Sequence, residues 1–305
     1  MNKGTFMSLN ETKLEGIIVK SIAGFCYVEA GDTVYECKPR GSFRKDGISP
    51  SAGDRVVISL NGKKGVVEEV FERKNFLIRP PLANLQKLFI VSSCTVPAVN
   101  PLLIDRMTAI CEHIGVEPII IFNKADLGDF GELPETYRKA GYKTFVVSAK
   151  TGDGAELLKD ELSGCISAFC GNSGVGKSSI LNCLLDGVKL STGEVSEKLG
   201  RGKHTTRTVE LFKVSNGYVA DTPGFSTLEL ADFMLNDKDE LKFCFPEFEN
   251  HFGKCRFNSC THVNEPDCSV INAVKNNEIA KSRHESYVSM FEDLKKIKSW
   301  ELSKK

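Results

Sequence analysis

The 305-residue sequence has no run of about 18 apolar residues, the length a membrane-spanning helix requires. Its first residues, MNKGTFMSLNETKLEG, contain no apolar core of a secretory signal. Net charge is also missing: 40 Lys+Arg stand against 40 Asp+Glu, which excludes a uniformly basic nucleic-acid binder. No internal repeat and no low-complexity tract is present. With 26% charged and 41% hydrophobic residues, the composition excludes wholesale disorder. These absences predict a globular cytoplasmic protein with no membrane partner. At about 150 residues per domain, the length allows two or three domains.

The zero balance hides a gradient. Residues 1–75 sum to +2, residues 76–250 to −5 and residues 251–305 to +3. The two flanks are mildly basic and the middle is acidic. The eleven cysteines are an odd number, and most sit inside apolar runs such as CISAFC. That usage fits buried free thiols in a reducing compartment.

Five short alternating segments fill residues 12–75: LEGIIVKSI, GFCYVEA, TVYECKP, DRVVISL and KGVVEEVF. Five strands in so short a span predict a small OB-like barrel. The polar stretch RGSFRKDGISPS, residues 40–51, reads as a mobile basic loop on it. After the linker-like Arg79-Pro80-Pro81 the pattern changes. LQKLFIVSSCTV, EPIIIFN, KTFVV and CISAFC are apolar runs of strands buried on both faces, and residues 101–114 between the first two have helical spacing. Alternating strands and helices predict a parallel α/β sheet. Residues 243–269 are rich in Cys, Phe and Asn with little periodicity. Ser282 and Glu285 fit a capping box before a last helix whose apolar face is Tyr287, Met290, Phe291 and Leu294.

The strongest motif is Gly171-Asn172-Ser173-Gly174-Val175-Gly176-Lys177-Ser178, followed by Ser179. It matches the P-loop pattern and lies between a strand and a helix. Glycines let backbone N–H groups approach phosphate oxygens, and the helix N-terminus favours their charge. Lys177 is expected on the β/γ-phosphates and Ser178 on Mg²⁺. Asn123-Lys124-Ala125-Asp126 ends another strand and looks like the guanine-specificity motif of GTPases. Asp126 can accept from the two N–H donors of the guanine edge, which adenine lacks. Ser148-Ala149-Lys150 resembles the last guanine-contacting loop. Asp221-Thr222-Pro223-Gly224 resembles D-x-x-G, with Asp221 on Mg²⁺ through water and the Gly224 N–H on the γ-phosphate. Between P-loop and DTPG, Gly200–Arg207 is placed as switch I, with Thr206 completing the Mg²⁺ shell. In Ras-like enzymes the P-loop precedes the guanine motifs. Here NKAD and SAK come first, which is a circular permutation of the kind that surface termini permit.

Cys255-x4-Cys260-x-His262-x5-Cys268 supplies three thiols and an imidazole, a tetrahedral zinc set with no open position. Such a site orders a segment too poor in apolar residues to fold by burial alone.

A five-stranded barrel, the order NKAD, SAK, GNSGVGKS, GKHTT and DTPGF, and the Cys/His cluster together resemble the RsgA (YjeQ) family, from about residue 12 to 300. The resemblance implies a multi-domain chain: an N-terminal all-β OB-fold RNA-binding domain at 1–75, a central α/β circularly permuted P-loop GTPase domain at 76–230, and a mostly α zinc-binding domain with C-terminal helices at 231–305. It implies GTP/GDP, Mg²⁺ and one structural Zn²⁺ as ligands. It also implies binding to the 30S subunit and its 16S rRNA late in maturation, with subunit-stimulated GTP hydrolysis, by a protein expected to be a monomer.

Ras-like enzymes place a water-orienting Gln just after D-x-x-G. This sequence has Phe225, which cannot hydrogen-bond water. Unstimulated hydrolysis is therefore expected to be slow. Either His204 orients the water or the ribosome supplies the group. The alternative reading is an RNA scaffold that binds GTP without significant hydrolysis. A signalling or metabolic GTPase with a protein target is a further one. An ATP-dependent kinase is disfavoured by NKAD.

Overall fold

A computed structural model of the chain describes residues 12–61, 64–78, 80–184, 209–214, 216–221 and 238–296. The described residues fall into two compact units, the first taking residues 12–84 with 209–212 and the second the remainder.

The first unit is built on β1 (Thr12–Ile22), β2 (Phe25–Ala30), β3 (Thr33–Pro39), α1 (Ser42–Lys45), β4 (Arg55–Asn61) and β5 (Lys64–Val70). Strand order is β1-β2-β3-β5-β4, and β4 pairs back with β1 from Thr12↔Leu60 to Ile17↔Arg55, closing a five-stranded barrel. Only β3 and β5 run parallel. Alternate residues point inward, so Ile18, Cys26, Val28, Cys37, Val56, Ile58 and Val67 form the core. The 40–51 stretch is not a strand, as expected, but it is more than a basic loop. It makes one helical turn that sets Phe43 into the barrel core. Asp54 is fully buried and accepts from Arg73 Nε and Nη2, both at 2.7 Å, and from the Ser51 N–H at 2.8 Å. A hairpin of β6 (Phe76–Ile78) and β7 (Pro81–Ala83) follows, joined to the barrel by Ala83 N–H donating to the Ala52 carbonyl.

The second unit contains β8 (Lys87–Ser93), α2 (Pro101–Ile114), β9 (Glu117–Asn123), α3 (Leu133–Lys139), β10 (Lys143–Val146), α4 (Leu157–Leu162), β11 (Ile166–Cys170) and α5 (Lys177–Leu184). The strand β12 (Glu210–Val214), whose first three residues belong to the first unit, precedes β13 (Gly217–Asp221). The order β10-β9-β8-β11-β13 is parallel throughout. Every residue of β11 and six of seven in β8 and β9 are buried, as strands covered on both faces must be. Phe89 and Phe169 stack at 4.6 Å in this core. The chain adds strands outward from β8 in one direction and from β11 in the other, so the β8/β11 boundary is the topological switch point.

Residues 238–296 belong to the same unit. Two 3₁₀ turns, Leu241–Cys244 and Pro246–His251, precede α6 (Ser269–Lys275) and α7 (Lys281–Lys296). Helix α7 starts at Lys281, with Arg283 and His284 N–H both directed at the Ala280 carbonyl. Ser282 therefore lies inside the first turn and is not its cap. The face Tyr287, Met290, Phe291 and Leu294 is buried as its spacing requires. Among the described residues, no helix is long and apolar enough to cross a membrane.

Candidate functional site

All the nucleotide motifs that fall among the described residues follow the carboxyl ends of parallel strands. NKAD follows β9, SAK follows β10 and the P-loop joins β11 to α5. This is where an open α/β sheet binds ligands.

The P-loop backbone needs its glycines. Gly171 has φ +133° and Gly176 φ +97°. A Cβ at Gly171 would run into the Val91 carbonyl, and one at Gly176 into Asn123 Nδ2. Val175 is buried, and Ile180, Leu181 and Leu184 seat α5 in the core. Lys177 Nζ lies in the loop, donating to the Gly171 carbonyl at 2.8 Å and the Asn172 carbonyl at 2.9 Å. Burial lowers its pKa. A cation so placed, with poor solvation, is a site for anionic phosphate.

Asn123 is the junction of three motifs. Its Nδ2 donates to the Val175 carbonyl of the P-loop at 2.9 Å, and its Oδ1 accepts from the Ala149 N–H of SAK at 3.0 Å. The side chain is only 2% exposed, so these bonds are shielded from water. Asp126 accepts from Ser148 Oγ at 2.7 Å, and Lys150 Nζ stands 3.7 Å from its other oxygen. The Ser148 hydrogen bond, with help from Lys150, lowers the Asp126 pKa and keeps an acceptor-only carboxylate there. Lys124 adopts φ +68°, and its Nζ donates to the Val96 carbonyl at 3.4 Å. The Ala125 N–H is held by the Val147 carbonyl at 3.1 Å. Thus Asn123 to Asp126, Ser148 to Lys150 and the P-loop converge. Ser173, Gly174, Ser178 and Ser179 lie on the loop and the first turn of α5. His204, Thr206, Gly224 and Phe225 lie outside the described residues, as does the side chain of Asp221.

The second constellation is Cys255, Cys260, His262 and Cys268, whose ligand atoms all lie within 4.8 Å of one another. Cys255 Sγ is 3.6 Å from His262 Nδ1 and 3.9 Å from Cys268 Sγ, and His262 Nδ1 is 3.4 Å from Cys268 Sγ. Thiolates ~2.3 Å from a tetrahedral zinc stand ~3.8 Å apart, so the four atoms fit that ion. Burial raises Cys268 and pushes Cys260 up to about 12, which a central cation reverses. Burial also lowers His262, keeping the imidazole neutral as a ligand must be. The loop is braced from outside. Glu265 accepts from the N–H groups of Thr261, Val263 and Asn264 at 2.7, 3.0 and 3.1 Å. Ser269 N–H points at Cys255 Sγ at 3.4 Å, and Tyr287 Oη donates to the Thr261 carbonyl at 2.6 Å.

One group escaped the sequence reading. Arg283, 1% exposed, donates to Asp105 Oδ1 at 2.7 Å, to Glu247 Oε1 and Oε2 at 2.7 and 3.1 Å, and to Thr108 Oγ1 at 3.3 Å. Its guanidinium also lies 4.6 Å over the Phe245 ring. It fixes α7 to α2. The next residue, His284, places Nε2 2.7 Å from the carbonyl of His262. The signal was a charge one turn before Tyr287 on an apolar helix face, and a second charge, Asp105, on the buried side of α2.

A family model described as RsgA GTPase matches residues 70–231, and one described as RsgA N-terminal domain matches residues 15–67. The chain is 43% identical over 284 residues to the small ribosomal subunit biogenesis GTPase RsgA of Clostridium perfringens strain SM101, covering 92% of this chain and 98% of that protein. The protein of that name from Caldanaerobacter subterraneus subsp. tengcongensis is 46% identical over 288 residues, 93% and 96% of the two chains. The crystal structure of YjeQ from Thermotoga maritima superposes with TM-score 0.80 at 37% identity, covering 94% of this chain and all of that one. That of YloQ, a circularly permuted GTPase, gives 0.78 at 34% identity over 95% and 98%.

Proposed function

The chain belongs to the RsgA family, GTPases that act in small ribosomal subunit biogenesis, and from that premise we propose how its residues divide the work. The observation that carries the reading is Asn123, whose one carboxamide joins the P-loop to the guanine loops. The amides of residues 171–179 and Lys177 hold the phosphates. Asp126 reads the guanine edge, while Ser148, Ala149 and Lys124 frame the base. Ser178 and Thr206 would hold Mg²⁺, with Asp221 beside it through water, and the ion would supply charge neutralisation for phosphoryl transfer. The Gly224 N–H meets the γ-phosphate and His204 orients the attacking water. Reading the chain as a scaffold without hydrolysis gives way to its membership of a GTPase family.

We assign one structural zinc ion to Cys255, Cys260, His262 and Cys268. The functional parts run over 1–75, 76–230 and 231–305. The small subunit is the partner, and its 16S rRNA is the surface contacted. Phe243 and Phe257, 63% and 45% exposed, offer stacking faces with Lys242 and Arg256 beside them. Arg44 and Lys45, both exposed, offer charge on the barrel. The protein works as a monomer in the cytosol, where subunits mature and thiols stay reduced.

The test is GTP hydrolysis with purified 30S, 50S and 70S particles, for the wild type, Lys177→Ala and His204→Ala. Stimulation by 30S alone, lost in Lys177→Ala, is expected. Absence of stimulation, or full activity of Lys177→Ala, overturns the assignment. Full stimulated activity of His204→Ala removes only the role of that residue.

A further inference from the structure

Outside the metal cluster, two of the free cysteines are only half-buried, Cys94 and Cys183. Both thiols are aimed at the backbone of a guanine loop. Cys94 Sγ lies 3.0 Å from the Lys124 carbonyl, and Cys183 Sγ lies 3.0 Å from the Ala149 carbonyl. Cys94 follows β8, the strand next to β9. Cys183 is on α5, the helix of the P-loop.

We propose that Cys94 and Cys183 are positioning residues that set guanine affinity, an inference that rests on the assignment of NKAD and SAK to the base. The peptide joining Lys124 to Ala125 is pinned at both ends, by Cys94 and the Leu127 N–H on its carbonyl and by the Val147 carbonyl on its N–H. Lys124, which precedes that peptide, has the left-handed φ of +68°, a conformation a side-chain-bearing residue keeps only when held. Asp126, which meets the base, is one residue further on. The peptide joining Ala149 to Lys150 is held at its carbonyl by Cys183, while the Ala149 N–H is held by Asn123. Each thiol therefore fixes a loop whose other contacts are already committed. Loss of the S–H donor frees the Ala149 carbonyl and leaves the Lys124 carbonyl to the Leu127 N–H alone, and the recognition groups spread over more orientations.

The experiment measures GDP, GTP and ADP affinities of Cys94→Ala, Cys183→Ala and the two serine variants, with the wild type alongside. Each alanine variant is expected to bind GDP and GTP about three- to tenfold more weakly, the worth of one hydrogen bond. Serine retains a donor and is expected to restore affinity to within about twofold. Should a variant fail to fold, the wild type supplies the second readout. GDP is expected to slow iodoacetamide alkylation at Cys94 and Cys183, and alkylated protein is expected to lose GDP affinity. A wild type without guanine preference overturns the site assignment itself. A guanine-selective wild type with alanine variants of unchanged affinity, or alkylation that GDP does not slow, overturns the positioning role alone.

Discussion

Replacing Arg283 by methionine is the sharpest stability test. The side chain keeps its bulk but loses the charge that faces Asp105 and Glu247. Both carboxylates stay where they are, at 1% and 7% side-chain exposure, without their counter-ion. Removing one partner of a buried ion pair costs about 3–5 kcal/mol. At roughly 2–4 °C per kcal/mol for a unit of this size, the melting temperature should fall by ~6–20 °C. The pH dependence has a definite sign. Burial raises the Asp105 pKa above the usual carboxylate value, and Arg283 opposes that shift. Without the guanidinium the folded-state pKa rises further. A group raised in this way destabilises the fold when deprotonated, so the deficit grows as pH rises through that pKa. The gap between wild type and variant should thus be widest near neutral pH and narrow in acid. Adding Asp105→Leu and Glu247→Met should recover most of the loss, since an apolar cluster replaces buried charge at little cost. Calorimetry across pH checks all three. A melting point within about 2 °C of the wild type at pH 7 would refute the docking role of Arg283.

Two further perturbations address the two sites. Asp126→Asn replaces one of the two acceptor oxygens facing the guanine N–H pair by an N–H donor and removes the charge, and a hydrogen bond to a charged group is worth about 1.5–3 kcal/mol, so GTP affinity should fall ~10- to 150-fold. Xanthine, which carries a carbonyl where guanine has its amino group, should then compete better than guanine, and nucleotide titrations that still rank guanine first sink this assignment. Cys268→Ser should lower the zinc content from one ion per chain to nearly none and open residues 252–269 to proteases, because metal binding there supplies folding energy. Elemental analysis with limited proteolysis reads both, and a zinc-free variant that stays protease-resistant argues against a structural ion.

Much of the architecture was legible because burial writes its period into the chain. The barrel strands alternate, and Lys87–Ser93 and Glu117–Asn123 are continuous apolar runs because both faces are covered. Helical spacing marked residues 101–114, and the structure bounds that helix with Pro101 at its start and Gly115 in a left-handed cap at its end. Motifs of the candidate site were legible for a different reason: phosphate and guanine constrain residue type at fixed spacing. What stayed hidden depends on long-range partners. Phe43 gives no sign, among Gly, Ser, Arg and Lys, that it will enter the barrel core. Arg283 and Asp105 are 178 residues apart, and neither spacing nor propensity couples them. Cys94 and Cys183 looked like ordinary interior thiols, since a hydrogen bond to a distant carbonyl leaves no local pattern.

The bridging carboxamide of Asn123 has a thermodynamic consequence. On the proposed assignment, base and phosphates are gripped by loops that share one side chain, so ordering those loops serves both ends of the ligand at once. Guanosine alone, or triphosphate alone, must each meet the full entropic cost of the shared element. The intact nucleotide meets it once, and the first half to bind presents the second at high effective concentration. The free energy of binding GTP should therefore exceed the sum for its two fragments, and the excess should shrink when Asn123 is replaced.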